Sequence, residues 1–167
     1  MSDASRHASR RSATVSCEGD IRFAGPVATA RLTVATAGFG FTDITAAVRG
    51  ALAEIGAREG AVLLFVRHTS ASLTIQENAD PDVLADLADA LGRIAPADAG
   101  WRHDAEGPDD MPAHVKAMLT GVSVHVPLIG GALALGTWQG IYLVEHRARP
   151  HRREVVVQFI GTCDRAP

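Results

Sequence analysis

Apolar and polar positions along the chain change period several times, and each change marks an element. Val27, Leu32 and Val34 stand among small and hydroxyl residues up to Thr36, ahead of Gly38 and Gly40, which predicts an early strand and a glycine turn. Ile44, Ala47, Val48, Ala51, Leu52 and Ile55 then recur at helical spacing until Gly56, with Thr42 or Asp43 available as the cap. Ala61 to Val66 is a continuous, partly β-branched apolar run, the pattern of a strand buried on both faces. From Ala71 to Gln76 the pattern alternates, with Leu73 and Ile75 opposite Ser72, Thr74 and Gln76, so a half-buried strand follows. Asp80 before Pro81 reads as a helix N-cap with proline at the first helical position, and Val83, Leu84, Leu87 and Leu91 continue that helix.

Between Ala95 and Pro112 the periodicity disappears. Pro96, Pro108, Pro112, Gly100 and Gly107 make this stretch loop-like around a lone Trp101, and a loop of that length is often functional. A short helix follows, capped by Asp109 or Asp110, in which His114 and Met118 share a face and Lys116 points elsewhere. Val122, Val124 and Val126 then alternate with Ser123 and a solvent-side His125 up to Leu128, and Gly130-Gly131 makes a hairpin turn. Ile141, Leu143 and Glu145 share one strand face against Tyr142, Val144 and His146, and Arg153 to Gly161 forms a further buried strand. Hairpin turns outnumber strand-helix-strand crossovers, so the expected fold class is α+β: a compact single domain with a large, mainly antiparallel sheet or sandwich and two to three helices.

At 167 residues and 47% hydrophobic content the chain suits one domain, expected over 15–167. The polar, arginine-containing stretch 1–14 reads as a disordered leader. It has no apolar h-region, and no apolar run reaches bilayer length, so neither export nor a membrane is indicated and a cytoplasmic setting is expected. Cys17 and Cys163 lack metal-type spacing and read as free thiols, with a terminal disulfide as the alternative. Net charge is −3, and the leader's arginines leave the rest more acidic, which argues against nucleic acid as a partner. The remaining basic residues cluster at Arg147, Arg149, Arg152 and Arg153 around Pro150 and His151, as in a solvated hairpin loop, or with one or two of them contacting phosphate.

Chemistry gathers in two polar clusters and one strand end. His68, Thr69 and Ser70 end the apolar run, with Glu77 and Asn78 shortly after it. The long loop and its helix bring His103, Asp104, Glu106, Asp109, Asp110, His114 and Lys116. Glu145 sits on an apolar strand face, where a carboxylate is costly unless it is paired or faces a cleft. His68, His103 and His114 are therefore expected around one cation-binding pocket, with Asp110 and Glu145 as catalytic carboxylates, ligands or supporting partners, because element ends on a rigid scaffold commonly build such sites. Imidazoles favour a borderline metal such as zinc, and carboxylates alone would suit magnesium. Thr69, Ser70, Asn78, Lys116, Gln139 and Arg147 are the candidate substrate-binding residues, while Trp138 reads as a core or subunit-interface ring.

Three segments in order carry a resemblance: H-T-S-A-S-L-T-I-Q-E-N-A-D-P from His68 to Pro81, E-G-P-D-D-M-P-A-H-V-K from Glu106 to Lys116, and G-T-W-Q-G-I-Y-L-V-E-H-R from Gly136 to Arg147. Together they resemble the YjbQ family, called secondary thiamine-phosphate synthases, over about Ala28 to Thr162. Gln76 departs from the Asn frequent at that position. The resemblance implies a compact α+β fold with a large antiparallel sheet, a homotrimer, and a weak activity joining a pyrimidine-methyl diphosphate to a thiazole phosphate with release of diphosphate. Such a reaction needs phosphorylated small-molecule substrates and a divalent metal (Mg or Zn) or cationic side chains to neutralise the leaving group. The alternative is a metal- or phosphometabolite-binding protein in which synthase activity is incidental.

Overall fold

A computed structural model of the chain describes residues 27–164, so the expected leader and Cys17 lie outside the described residues. The order is β1 (Val27–Ala35), β2 (Gly40–Asp43), α1 (Thr45–Glu54), β3 (Ala57–Val66), β4 (Ala71–Glu77), α2 (Pro81–Ile94), α3 (Asp110–Thr120), β5 (Ser123–Ile129), β6 (Ala132–Leu133), β7 (Gln139–Glu145) and β8 (Arg152–Cys163). Local signals place the boundaries. Asp80 Oδ1 accepts the Asp82 N–H at 2.9 Å with Pro81 opening α2, and Asp43 Oδ1 accepts the Thr45 N–H at 2.8 Å where α1 begins. Gly130 and Gly131 both have positive φ, 58° and 81°, the conformation a tight two-residue hairpin demands between β5 and β6.

The strands make two antiparallel sheets, ordered β1-β8-β3-β5-β6 and β2-β7-β4, and three helices complete the expected α+β architecture. One core joins the inner faces of both sheets to α1: Val62, Leu64, Val155, Val157 and Phe159 meet Leu73, Ile141 and Leu143, with Val48 and Leu52 from the helix. The start of α1 is tied to β7 by an Ile44 N–H to Ile141 carbonyl bond of 2.9 Å. On its other face the three-stranded sheet is covered by α3, which packs on β4.

β3 differs from its expected two-sided burial. Val62, Leu64 and Val66 point into the core, whereas Ala61 and Phe65 are exposed and Leu63 is half-buried. Among the described residues no second layer covers that side of the five-stranded sheet. β3 is the central strand of its sheet, but the apolar run records an apolar outer face rather than a strand covered on both sides. The cap expected of Asp109 is also absent: it sits at the N-cap of α3 without a capping bond, because its carboxylate is turned toward Arg147.

Candidate functional site

The end of β7 distributes three consecutive side chains to three surroundings. Strand alternation sends Glu145 to the inner face, with Leu143 and Ile141, and His146 to the opposite face beneath α3. Arg147, just past the strand, reaches the N-terminus of α3.

There Arg147 meets a cluster of donors. Its Nη1 bonds Asp110 Oδ1, its Nε donates to Asp109 Oδ2 at 3.2 Å, and its Nη2 donates to the Glu106 carbonyl at 2.7 Å. Burial alone would raise the Asp109 carboxyl, but the Ala148 N–H and the Arg147 guanidinium outweigh it and hold the group below its usual value. The other oxygen of buried Asp110 faces two imidazoles, with His103 Nε2 at 2.8 Å and His114 Nε2 at 3.5 Å. Asp110 and His114 share a helix face four residues apart, and His103 arrives from the long loop. One donor atom from each of the three lies within 4.8 Å of the other two, so together they can hold a cation. Arg147 anchors the carboxylate of that group, as supporting partners of metal ligands commonly do.

Glu145 is 1% exposed and solves the problem of a carboxylate on an apolar face by pairing. Arg153, at the start of β8, donates from Nε at 2.7 Å and from Nη2 at 2.6 Å, a bidentate fork. The Arg147 N–H and Thr36 Oγ1 add two more donors at 3.0 Å each. Burial pushes this carboxyl up, but the Arg153 and Arg147 bonds dominate and its pKa is lowered. Arg153 Nη2 also donates to Ser70 Oγ at 3.1 Å, and Ser70 Oγ lies 3.0 Å from His68 Nδ1. Arg153 is thus not a loop residue: it is 2% exposed, while Arg149 and Arg152 remain in solvent.

Beneath α3, His146 Nε2 lies 2.8 Å from Ser72 Oγ, which accepts from Thr120 Oγ1 at 2.6 Å. His146 Nδ1 is buried without a hydrogen-bond partner among the described residues. Burial and then the Lys116 charge lower His146 from 6.5 to about 4, so it is neutral at pH 7. Lys116 does point away from exposed Met118, but inward, with its ammonium 4.6 Å from the Phe39 ring centroid. Burial lowers its pKa, opposed by the charge of Asp109.

The predicted residues therefore separate. His103, Asp110 and His114 form one group, and His68 stands with Ser70, Glu145 and Arg153 in a neighbouring one. Thr69 is exposed in the β3–β4 turn. Asn78 and Gln139 lie at the other end of β7, about 20 Å from Glu145 at ordinary strand rise. There Asn78 Nδ2 donates to the Gln139 carbonyl at 3.3 Å and Gln139 Oε1 accepts the Gly136 N–H at 2.8 Å, so backbone partners account for both. Trp138 is 64% exposed and is not a core ring. Thr36, Ser72, Thr120 and His146 are not among the sequence-based site candidates, and Arg153 enters there only as a loop cation or phosphate contact. Only Arg153 left a signal, as the cation that a carboxylate on an apolar face requires.

The fold and this site define an α+β protein whose cation-competent His-Asp-His group adjoins a buried arginine-carboxylate pair. Residues 30–162 match the family model described as UPF0047 protein YjbQ-like. The chain is 50% identical to UPF0047 protein sll1880 of Synechocystis over 131 residues, 78% of this chain and 89% of that one. It is 38% identical to UPF0047 protein YjbQ of Escherichia coli O157:H7, covering 78% of this chain and 95% of the relative. Among solved structures, a yjbq/upf0047 family protein from Clostridium acetobutylicum superposes with a TM-score of 0.73 at 39% identity, over 78% of this chain and 98% of that one. The protein belongs to the UPF0047/YjbQ-like family.

Proposed function

We propose that the protein is a divalent-cation-dependent enzyme acting on small phosphorylated metabolites, with a reaction of the thiamine-phosphate synthase type. The observation that carries this reading is the convergence of His103, Asp110 and His114 donor atoms within 4.8 Å of one another, beside the Arg147 guanidinium. Two imidazoles and a carboxylate suit zinc better than magnesium and leave room for a further ligand. A cation there would neutralise charge on a leaving diphosphate.

In the proposed reaction the thiazole nitrogen attacks the methylene carbon of the pyrimidine, the bond from that carbon to the diphosphate oxygen breaks, and diphosphate departs with the electron pair. The attacking nitrogen carries no proton, so the site needs no strong base. This agrees with Asp110 and Glu145 each being committed to an arginine: they hold geometry and charge rather than accept protons. Lys116 and Arg147 offer positive charge for phosphoryl oxygens. A metal- or phosphometabolite-binding protein with incidental synthase activity is the second reading, and the same commitment of the carboxylates favours it.

The test incubates zinc- or magnesium-loaded protein with both substrates and looks for thiamine phosphate above a heat-inactivated control. Product is expected, slowly formed; its absence would leave only the binding reading. His114→Ala should lower metal occupancy per folded chain, measured by elemental analysis, whereas a merely structural histidine would lower stability and leave occupancy intact. We also propose a cytoplasmic homotrimer. The uncovered apolar face of the five-stranded sheet supports association, and among the described residues no helix is long and apolar enough to cross a membrane.

A further inference from the structure

The hydrogen bonds of His68 fix which edge of its ring is offered to a ligand. The Ser70 backbone N–H donates to His68 Nδ1 at 3.2 Å. A backbone N–H can only donate, so Nδ1 presents its lone pair. Ser70 Oγ, already accepting from Arg153 Nη2, has its own proton free to point at the same nitrogen 3.0 Å away. Burial, and next the like charge of Arg153, lower the pKa of His68 below 6.5, so the ring is neutral at pH 7. Its one N–H proton is then on Nε2.

A nitrogen that carries a proton has no lone pair for a metal. His68 is therefore equipped differently from His103 and His114: the Ser70 backbone N–H holds its Nδ1 as an acceptor, so its proton cannot move from Nε2 to Nδ1, whereas among the described residues no such bond fixes the tautomer of the two rings beside the Asp110 carboxylate. Its neighbours point to the ligand. Both Glu145 oxygens are occupied, by Arg153, Arg147 and Thr36, and Ser70 Oγ faces Arg153 and His68. Ser70 and Arg153 are buried, whereas His68 is exposed, so its Nε2–H is the open edge of this cluster. A ligand arriving there meets a donor backed by a guanidinium, with the nearest carboxylate already engaged. That surrounding selects an anionic oxygen. The Arg147 backbone N–H to Glu145 and its side chain to Asp110 join this cluster to the cation-competent group, and His114 lies near enough for its charge to act on His68.

We propose that Ser70 locks His68 as the Nε2–H tautomer and that His68 is an anion-binding donor, receiving a phosphoryl oxygen of the substrate beside the metal rather than ligating it. The proposal rests on the reading of the site as one for phosphorylated metabolites. Arg153 and Ser70 are positioning residues, acting through His68.

Two measurements on the full chain test this. Nitrogen-15 spectra of histidine-labelled protein, assigned by comparison with His68→Gln, should show the His68 ring at pH 7 with its proton on Nε2; a proton on Nδ1 overturns the proposal. Calorimetric titration of inorganic diphosphate into metal-free and zinc-loaded protein should show His68→Ala binding about tenfold or more weakly than wild type, the usual scale for losing a hydrogen bond to a charged group. His68→Gln, whose amide nitrogen reaches the place of Nε2, should recover part of that loss, and zinc per folded chain should stay at the wild-type level in both variants. Zinc loss in His68→Ala with wild-type diphosphate affinity retained would make His68 a ligand and overturn the proposal. Equal diphosphate affinity in folded wild type and variants overturns it too. Failure of wild type to bind diphosphate in either form sinks the phosphorylated-metabolite reading itself, a result distinct from equal binding. If His68→Ala does not fold, the tautomer and the His68→Gln titration still decide.

Discussion

Two buried groups at the end of β7 set how single residues respond to pH and substitution. His146 is neutral in the folded chain down to about pH 4, whereas an unfolded histidine protonates near 6.5. Above 6.5 neither state binds the proton and nothing is lost. Between those values only the unfolded chain does, so stability falls as pH drops through this window. The shift corresponds to about 3 kcal/mol at ~1.36 kcal/mol per unit. Urea unfolding should show wild type losing about 2–3 kcal/mol more than His146→Gln between pH 7.5 and about pH 4.5; parallel pH profiles would exclude His146 as the source. Glu145, with its lowered pKa, stabilises the fold above the unfolded carboxyl value of 4.5 and loses that contribution as pH falls through its folded value. Glu145→Leu should cost about 3–5 kcal/mol by stranding the Arg153 guanidinium. The double variant Glu145→Leu, Arg153→Met should recover much of it, and additive losses in a double-mutant cycle would contradict the pairing.

At the scale of elements, closeness of neighbouring strands decides what glycine does. Gly161 of β8 faces Gly60 of β3 beside the irregularity between Ala57 and Glu59. A Cβ on Gly161 would stand 2.1 Å from the Glu59 carbonyl oxygen and 2.5 Å from the Phe159 ring, too close for either to yield cheaply. Gly50, inside α1, has nothing within 4 Å of the same added carbon. Gly161→Ala should therefore destabilise by about 1–3 kcal/mol or more, and Gly50→Ala should stabilise by up to about 1 kcal/mol. Urea midpoints measure both, and like-signed shifts would refute the packing argument. The pattern alone placed α2 well, with its Asp80 cap and Pro81 start, because capping is a local matter of adjacent residues. It could not reveal that α2 contributes no fully buried residue, since burial depends on what other elements reach it.

For the whole molecule, the outer face of the five-stranded sheet is the feature with the largest consequence. Phe65 and Val156 are register partners, as are Ala61 and Ile160, and Phe65 and Ile160 are each 42% exposed. A soluble monomer rarely leaves such a surface uncovered. Light scattering at micromolar concentration should give the mass of three chains, and Phe65→Glu or Ile160→Lys should shift it downward. A monomeric mass for wild type removes the trimer.

Sequence by itself determined the fold class, the positions of most strands and helices, and the need of Glu145 for a partner. Those properties follow from spacing along the chain and from the cost of an unpaired charge, both readable from neighbours in sequence. It also placed His103, Asp110 and His114 among its site candidates, together with His68 and Glu145, since a loop dense in imidazole and carboxylate leads directly into one helical turn. Only the tertiary structure decided that these three group without His68, that Arg153 rather than another cation meets Glu145, and that Asn78 and Gln139 sit at the opposite strand end. The reason is geometric: sheet register sets which residues far apart in the chain meet, and one carbonyl, one hydroxyl or one guanidinium brought from another strand changes what a histidine can do.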